Sequence, residues 1–237
     1  GHFTVLDREK EIVRLGSGST DMKRLSEEAM SRGVETLRRF KGIADASRAQ
    51  IRAVATSAVR EALNREEFIN RVRSETGIEV EVISGVEEAR LIYLGVLQAI
   101  PAYSERALLV DIGGGSTEFL VGRRGRVQYA NSLKVGAIRL TQRFFPGGEL
   151  TAKDVKKCRE FLAGMLNPVS RNVRALSPSI AVGSSGTILN LANMIRIHRG
   201  GDPLGRINNF AFRRKELEEL IELILGYDSP ARRKMIP

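Results

Sequence analysis

Ala107-Leu108-Leu109-Val110-Asp111-Ile112-Gly113-Gly114-Gly115-Ser116-Thr117-Glu118-Phe119-Leu120-Val121 is the stretch that decides the fold. An apolar, β-leaning run ends on a carboxylate, three glycines follow, and a second β-leaning run opens with Ser-Thr-Glu. The flanks predict strands and Gly-Gly-Gly supports only a tight turn, so the local expectation is a hairpin. Glycine lets backbone N–H groups approach a ligand closely, which suits such a turn to holding phosphate oxygens. Asp111 and Glu118 are hard oxygen donors of the kind that hold magnesium, directly or through water. An ordinary glycine hairpin carrying an exposed Asp also fits this stretch taken alone. No Gly-Lys-Ser/Thr follows the glycines, which excludes a Walker A loop. Glu118 stands where a dinucleotide fingerprint requires its last glycine.

The 237-residue chain has room for one large domain or two small ones, each with a core. Its single cysteine, Cys158, excludes a disulfide framework, and two histidines exclude a His-rich metal site. These features predict a reducing, cytoplasmic setting. No apolar run approaches the roughly 18 residues needed to span a bilayer, so no membrane association is expected. The net charge of +10 attracts polyanions: nucleic acid, anionic membrane or phosphorylated compounds. The basic residues are scattered, with short clusters at Arg123-Arg124-Gly125-Arg126 and Arg213-Arg214-Lys215. There is no Trp and little sign of a stacking platform, so nucleic-acid binding is not favoured.

Outward from the glycine turn, strand and helix alternate, which predicts an α/β fold. Before the turn, strands are expected at Phe3–Leu15, Ile51–Ala55 and Glu79–Ile83. Helices are expected from Ser26, over Ala58–Leu63 and Glu66–Glu75, and from Ser84 to Ala99. Ser84 and Glu87 have the spacing of a capping box, which leaves Glu88 free for another task. Ile100-Pro101-Ala102-Tyr103-Ser104 breaks the pattern and sets the expected boundary between a first lobe, 1–101, and a second, 102–237. Beyond the turn come a strand at Arg126–Leu133 and helices at Ala137–Phe144 and from Thr151 to Leu166. A strand at Ser179–Val182 then leads into a second small-residue loop, Gly183-Ser184-Ser185-Gly186-Thr187. A helix follows that loop, so its N–H groups would meet an anion; a plain strand-to-helix turn fits as well. Glu216–Leu225 reads as a last helix, and Ser229–Pro237 carries no terminal element.

Val110–Glu118, preceded by Ile83-Ser84-Gly85-Val86-Glu87-Glu88-Ala89-Arg90-Leu91, resembles the exopolyphosphatase and guanosine-pentaphosphate phosphohydrolase family. Ala55–Arg60, Val135–Leu140 and Ala181–Thr187 fit the same pattern in the same order. The resemblance implies two ribonuclease H-like lobes of the actin, sugar-kinase and acetate-kinase type, with a phosphate cleft between them. It implies magnesium-dependent release of terminal phosphate from inorganic polyphosphate or, alternatively, of the 5′ γ-phosphate of guanosine pentaphosphate (pppGpp). By position it assigns the catalytic glutamate to Glu88 and metal-linked carboxylates to Asp111 and Glu118. Phosphate contacts fall on Gly113, Gly114, Gly115, Ser116 and Arg60, with Gly183, Ser184, Ser185, Gly186 and Thr187 opposite. Family members also carry an N-terminal phosphate hairpin and a longer second lobe, neither matched here, and they are often homodimers. A superfamily kinase or ATPase, a nucleic-acid-binding module and a non-catalytic phosphate-binding relative are the rival readings. The positive charge favours polyphosphate as the substrate.

Overall fold

The computed structural model describes residues 5–16, 23–202 and 209–227. The chain divides into two compact units, Gly1–Ser84 and Gly85–Pro237. The break therefore lies at Ser84/Gly85, whereas the sequence pattern had set it at Ile100–Ser104. The helix between those two points belongs by its packing to the second unit, as shown below.

In the first unit, α1 (Glu27–Ala46) starts at Ser26, whose hydroxyl accepts the Ala29 N–H, with Glu27 and Glu28 at the positive end of the helix. The short α2 (Ser57–Arg60) and the longer α3 (Arg65–Thr76) follow β1 (Ala53–Ala55). Gly77 ends α3 in the left-handed conformation (φ 72°), and β2 (Val80–Val82) then runs parallel to β1. Met30, Val34, Val59, Phe68, Val72 and Ile78 form the core between these layers. No strand forms over residues 5–15, contrary to the pattern of Phe3–Leu15; Phe3 and Thr4 lie outside the described residues. Among the described residues the sheet here consists of β1 and β2, so alternation in 5–15 finds no ladder. This segment is held instead through its side chains, with Glu11 paired to Arg39 and Leu15 set against the core.

The second unit opens with α4 (Gly85–Ala99) and is built on a four-stranded sheet in the order β5-β4-β3-β6. Its strands are β3 (Ala107–Ile112), β4 (Thr117–Arg123), β5 (Arg126–Leu133) and β6 (Ile180–Ser184). The hairpins β3–β4 and β4–β5 are antiparallel, and β6 joins β3 in parallel. Side chains alternate across a pleated sheet. Leu109 and Leu120, paired in register, meet Ala89 and Tyr93 of α4 on one face. Gly122 allows the Tyr93 ring to lie almost on the strand backbone. This apolar stripe of α4 is what assigns the helix to the second unit.

The remaining helices are α5 (Ala137–Phe144), α6 (Ala152–Leu176), α7 (Ser185–His198) and α8 (Arg214–Gly226). Helix α7 packs on the opposite face of the sheet from α4: Ile188 lies against the bare Cα of Gly183, one residue out of phase with Val182 in the α4 cluster. Thr151 caps α6, as its position predicts, but the helix runs through Pro168 to Leu176 rather than ending near Leu166. The second small-residue stretch is likewise not a loop. Strand β6 runs to Ser184 and α7 begins at Ser185, so the chain turns directly from strand into helix.

Candidate active site

The register of the second sheet lines up four polar residues. Asp111 lies opposite Glu118 on β4 and opposite Ser184 on β6, and Glu118 lies opposite Ser132 on β5. The row Ser132–Glu118–Asp111–Ser184 thus crosses all four strands on one face. It continues the face that carries Leu109 and Leu120, two residues further along each strand. Helix α4 covers that apolar part through Ala89 and Tyr93. Its first turn therefore reaches toward the carboxylates, and the charge of Glu88 is felt at Glu118. The positive end of a helix beside two acids favours their ionised forms.

Both acids are buried, Glu118 at 1% exposure and Asp111 at 7%. Burial raises the pKa of each, since a carboxylate loses hydration in a low-dielectric site. The neighbouring charges of Glu88 and Asp111 raise Glu118 further. Hydroxyls act in the other direction. Ser132 Oγ donates to Glu118 Oε1 at 2.8 Å and Ser116 donates to the same carboxylate, while Ser184 and Ser185 serve Asp111. The hydroxyls of Ser184 and Ser185 are therefore engaged with Asp111. Ser185 achieves this in a left-handed backbone conformation (φ 76°), costly for a non-glycine residue.

The turn Gly113–Ser116 has its carbonyls fully used. Gly113 N–H closes the turn onto the Ser116 carbonyl at 3.0 Å. The carbonyls of Gly113 and Gly114 accept the N–H groups of Ala137 (2.9 Å) and Arg139 (3.1 Å) at the start of α5. The Gly115 carbonyl accepts Arg139 Nε at 2.9 Å. Among the described residues, the amides of Gly114, Gly115 and Ser116 have no backbone acceptor. A turn whose carbonyls are satisfied on one side and whose amides are unclaimed is a concentration of donors suited to an oxyanion. Gly136 makes this possible, because a Cβ there would fall on the Gly114 and Gly115 backbone.

The other expected residues stand as follows. Gly183 packs on Ile188, and Gly186 and Thr187 lie in the first turn of α7. Arg60 ends α2 in the first unit, where its Nη1 donates to the Ile83 carbonyl at 2.9 Å. Glu87, the expected reciprocal cap, is gripped by Arg90 through two nitrogens at 2.7 and 2.8 Å. Sequence reasoning did not assign tasks to Ser132, Gly136 or Arg139. The Val135–Leu140 motif carried the only signal for the last two, and Ser132 becomes visible only through register.

No group of three or more His, Cys, Asp or Glu that could hold a metal occurs among the described residues. An all-protein cage is therefore not what these residues provide. Magnesium is commonly held by one or two carboxylates, with water and phosphate oxygens completing its shell. The facing pair Asp111 and Glu118, beside unclaimed amides, fits that pattern. No helix among the described residues is long and apolar enough to cross a membrane.

The Ppx/GppA phosphatase family model matches residues 1–236. The chain is 31% identical to the exopolyphosphatase of Cytophaga hutchinsonii, with a TM-score of 0.87 over 96% of this chain and 73% of that one. An exopolyphosphatase-like protein matches at 28% identity and a TM-score of 0.83, over 98% of this chain and 73% of its own. The Ppx/GppA family member of Aquifex aeolicus matches at 31% identity and a TM-score of 0.76, over 95% and 72% of the two chains.

Proposed function

The chain belongs to the Ppx/GppA phosphatase family and is a hydrolase of phosphoanhydride bonds, and from that premise we propose that it removes the terminal phosphate of inorganic polyphosphate with the help of magnesium. The observation that carries this reading is the pairing of Asp111 with Glu118 beside a turn whose carbonyls are all occupied and in which, among the described residues, the amides of Gly114, Gly115 and Ser116 have no backbone acceptor. Phosphoanhydride hydrolysis needs positioning and compensation of charge more than covalent chemistry. The amides of Gly114, Gly115 and Ser116 hold oxygens of the phosphoryl group being transferred. Asp111 and Glu118 would hold the magnesium, which would supply positive charge to offset that of the phosphoryl group. Ser116, Ser132, Ser184 and Ser185 fix the two carboxylates in place, so little reorganisation remains at the moment of reaction.

Glu88 orients a water in line with the bond to be cleaved and takes its proton. The water oxygen bonds to phosphorus, the bridging P–O bond breaks, and the shortened chain leaves with the electron pair. The net charge of +10 supports a long polyanion over a compact nucleotide. The test is phosphate release from long-chain polyphosphate and from pppGpp, with and without magnesium. Release from polyphosphate that requires magnesium and falls by roughly 10²–10⁴-fold in Glu88→Gln is expected. Release from pppGpp alone would transfer the reading to the alarmone, and a fully active Glu88→Gln would remove Glu88 from its role.

A further inference from the structure

At the far end of the same sheet, the β4–β5 turn gathers three arginines around a hollow. Arg123, Arg124, Arg126, Tyr103 and Gln128 line a space of about 510 Å³, within the roughly 300–1,000 Å³ of small-molecule sites. Arg123 lies five positions along β4 from Glu118, about 17 Å at strand rise, so this hollow is distinct from the carboxylate row. We propose that it is a second binding site for an oligophosphate, in which the three guanidiniums take the phosphate oxygens of a chain or of a nucleotide tail.

Four observations support this. First, several arginines elsewhere in the chain hold carboxylates, among them Arg38, Arg39, Arg71, Arg73 and Arg90, while Arg32 and Arg106 are seated on backbone carbonyls. Among the described residues, none of Arg123, Arg124 and Arg126 holds a carboxylate. Three like charges placed together without an acid repel one another, and an anion between them removes that cost. Second, Arg124 sits in the left-handed region (φ 53°), directly before Gly125 (φ 75°). A two-residue hairpin turn with both residues at positive φ favours Asn or Gly at its first place, so Arg124 is held at the tip of the turn at a backbone cost that Arg14 (φ 55°) and Arg48 (φ 51°) also bear. Third, the hollow is held in shape. Arg124 N–H donates to the Tyr103 carbonyl at 2.9 Å and Arg123 Nε to the Ser104 carbonyl at 2.9 Å. Fourth, Tyr103 is 59% exposed and stands beside the Gly125 turn, which gives the hollow one aromatic wall. Guanidinium forks match phosphate geometry in a way that lysine does not.

This proposal stands beside the hydrolase reading and does not require it. Tripolyphosphate binding is measured calorimetrically in EDTA, so that no turnover occurs, with the wild-type chain, Arg124→Gly and the double variant Arg123→Gln/Arg126→Gln. Arg124→Gly relieves the turn and is expected to melt no lower than wild type while binding roughly fivefold more weakly at this site. The double variant is expected to lose one binding event, with magnesium-dependent release of phosphate from tripolyphosphate unchanged. GTP serves as the nucleotide arm: equal affinity assigns recognition to the phosphates, and tighter binding than tripolyphosphate adds a contact of the base with Tyr103. Unchanged stoichiometry and affinity in both variants would overturn the site, as would equal binding of sulfate. A wild type that binds here but releases no phosphate contradicts the hydrolase reading alone.

Discussion

At Asp111 and Glu118 burial and hydrogen bonding act in opposite directions, and burial prevails: both pKa values are raised. A carboxyl held above its ordinary pKa keeps its proton in the folded chain at a pH where the unfolded chain has lost it. Between the two values folding takes up protons, so stability from this pair falls as pH rises and is lowest above the raised values. In metal-free buffer, Asp111→Asn/Glu118→Gln is therefore expected to melt close to wild type near about pH 4 and progressively higher than wild type toward neutral pH. Thermal melts of the two proteins across that range check this, and a gap independent of pH would contradict it. The residue types at this site were legible in the sequence, because a carboxylate before three glycines and another after them is a compact pattern. Ser132 was not legible, since its partnership with Glu118 arises from the pairing of β4 with β5, 14 residues apart.

At the scale of elements, local signals found most of the secondary structure and missed where it is shared out. The Ser26 cap, the Gly77 terminator, the glycine hairpin and the Thr151 cap are each set by a few residues whose hydrogen bonds are local, and each lies where its chemistry predicts. Of the strand expected over Phe3–Leu15, residues 5–15 form none for the converse reason: alternation is a local property, whereas a ladder partner is not. Helix α4 joins the second unit because Ala89 and Tyr93 find their apolar partners on β3 and β4, which its own periodicity cannot reveal. The join of α5 to the glycine turn is a tertiary feature of the same kind. Gly136→Ala would press a methyl group into the Gly114–Gly115 backbone and push the turn off its position. A shift of about 1 Å at such a site is expected to lower phosphate release by roughly 100-fold. Overpacking is expected to cost about 1–3 kcal/mol of stability by denaturant melt. Gly186→Ala, where a Cβ would meet nothing within 4 Å, serves as the control and is expected to be at least as stable as wild type. Equal activity of Gly136→Ala and wild type would show that the turn does not depend on α5.

At the scale of the whole molecule, an excess of ten positive charges acts on any long anion before it reaches the carboxylates. That attraction is screened by salt, with a Debye length of about 10 Å at 0.1 M and about 3 Å at 1 M. KM for long polyphosphate is therefore expected to rise steeply with salt while kcat changes little, and a salt-independent KM would take the general charge out of the account. The composition disclosed this field at once, but that the arginines at the β4–β5 turn hold no carboxylate among the described residues needed coordinates. The two buried acids and the amide-bearing turn are the centre of the account, and one measurement addresses them together: magnesium-dependent phosphate release from long-chain polyphosphate by the Glu118→Gln chain. The account predicts a folded protein whose rate is lower than wild type by about 10²-fold or more, and a folded Glu118→Gln chain turning over at the wild-type rate would contradict it.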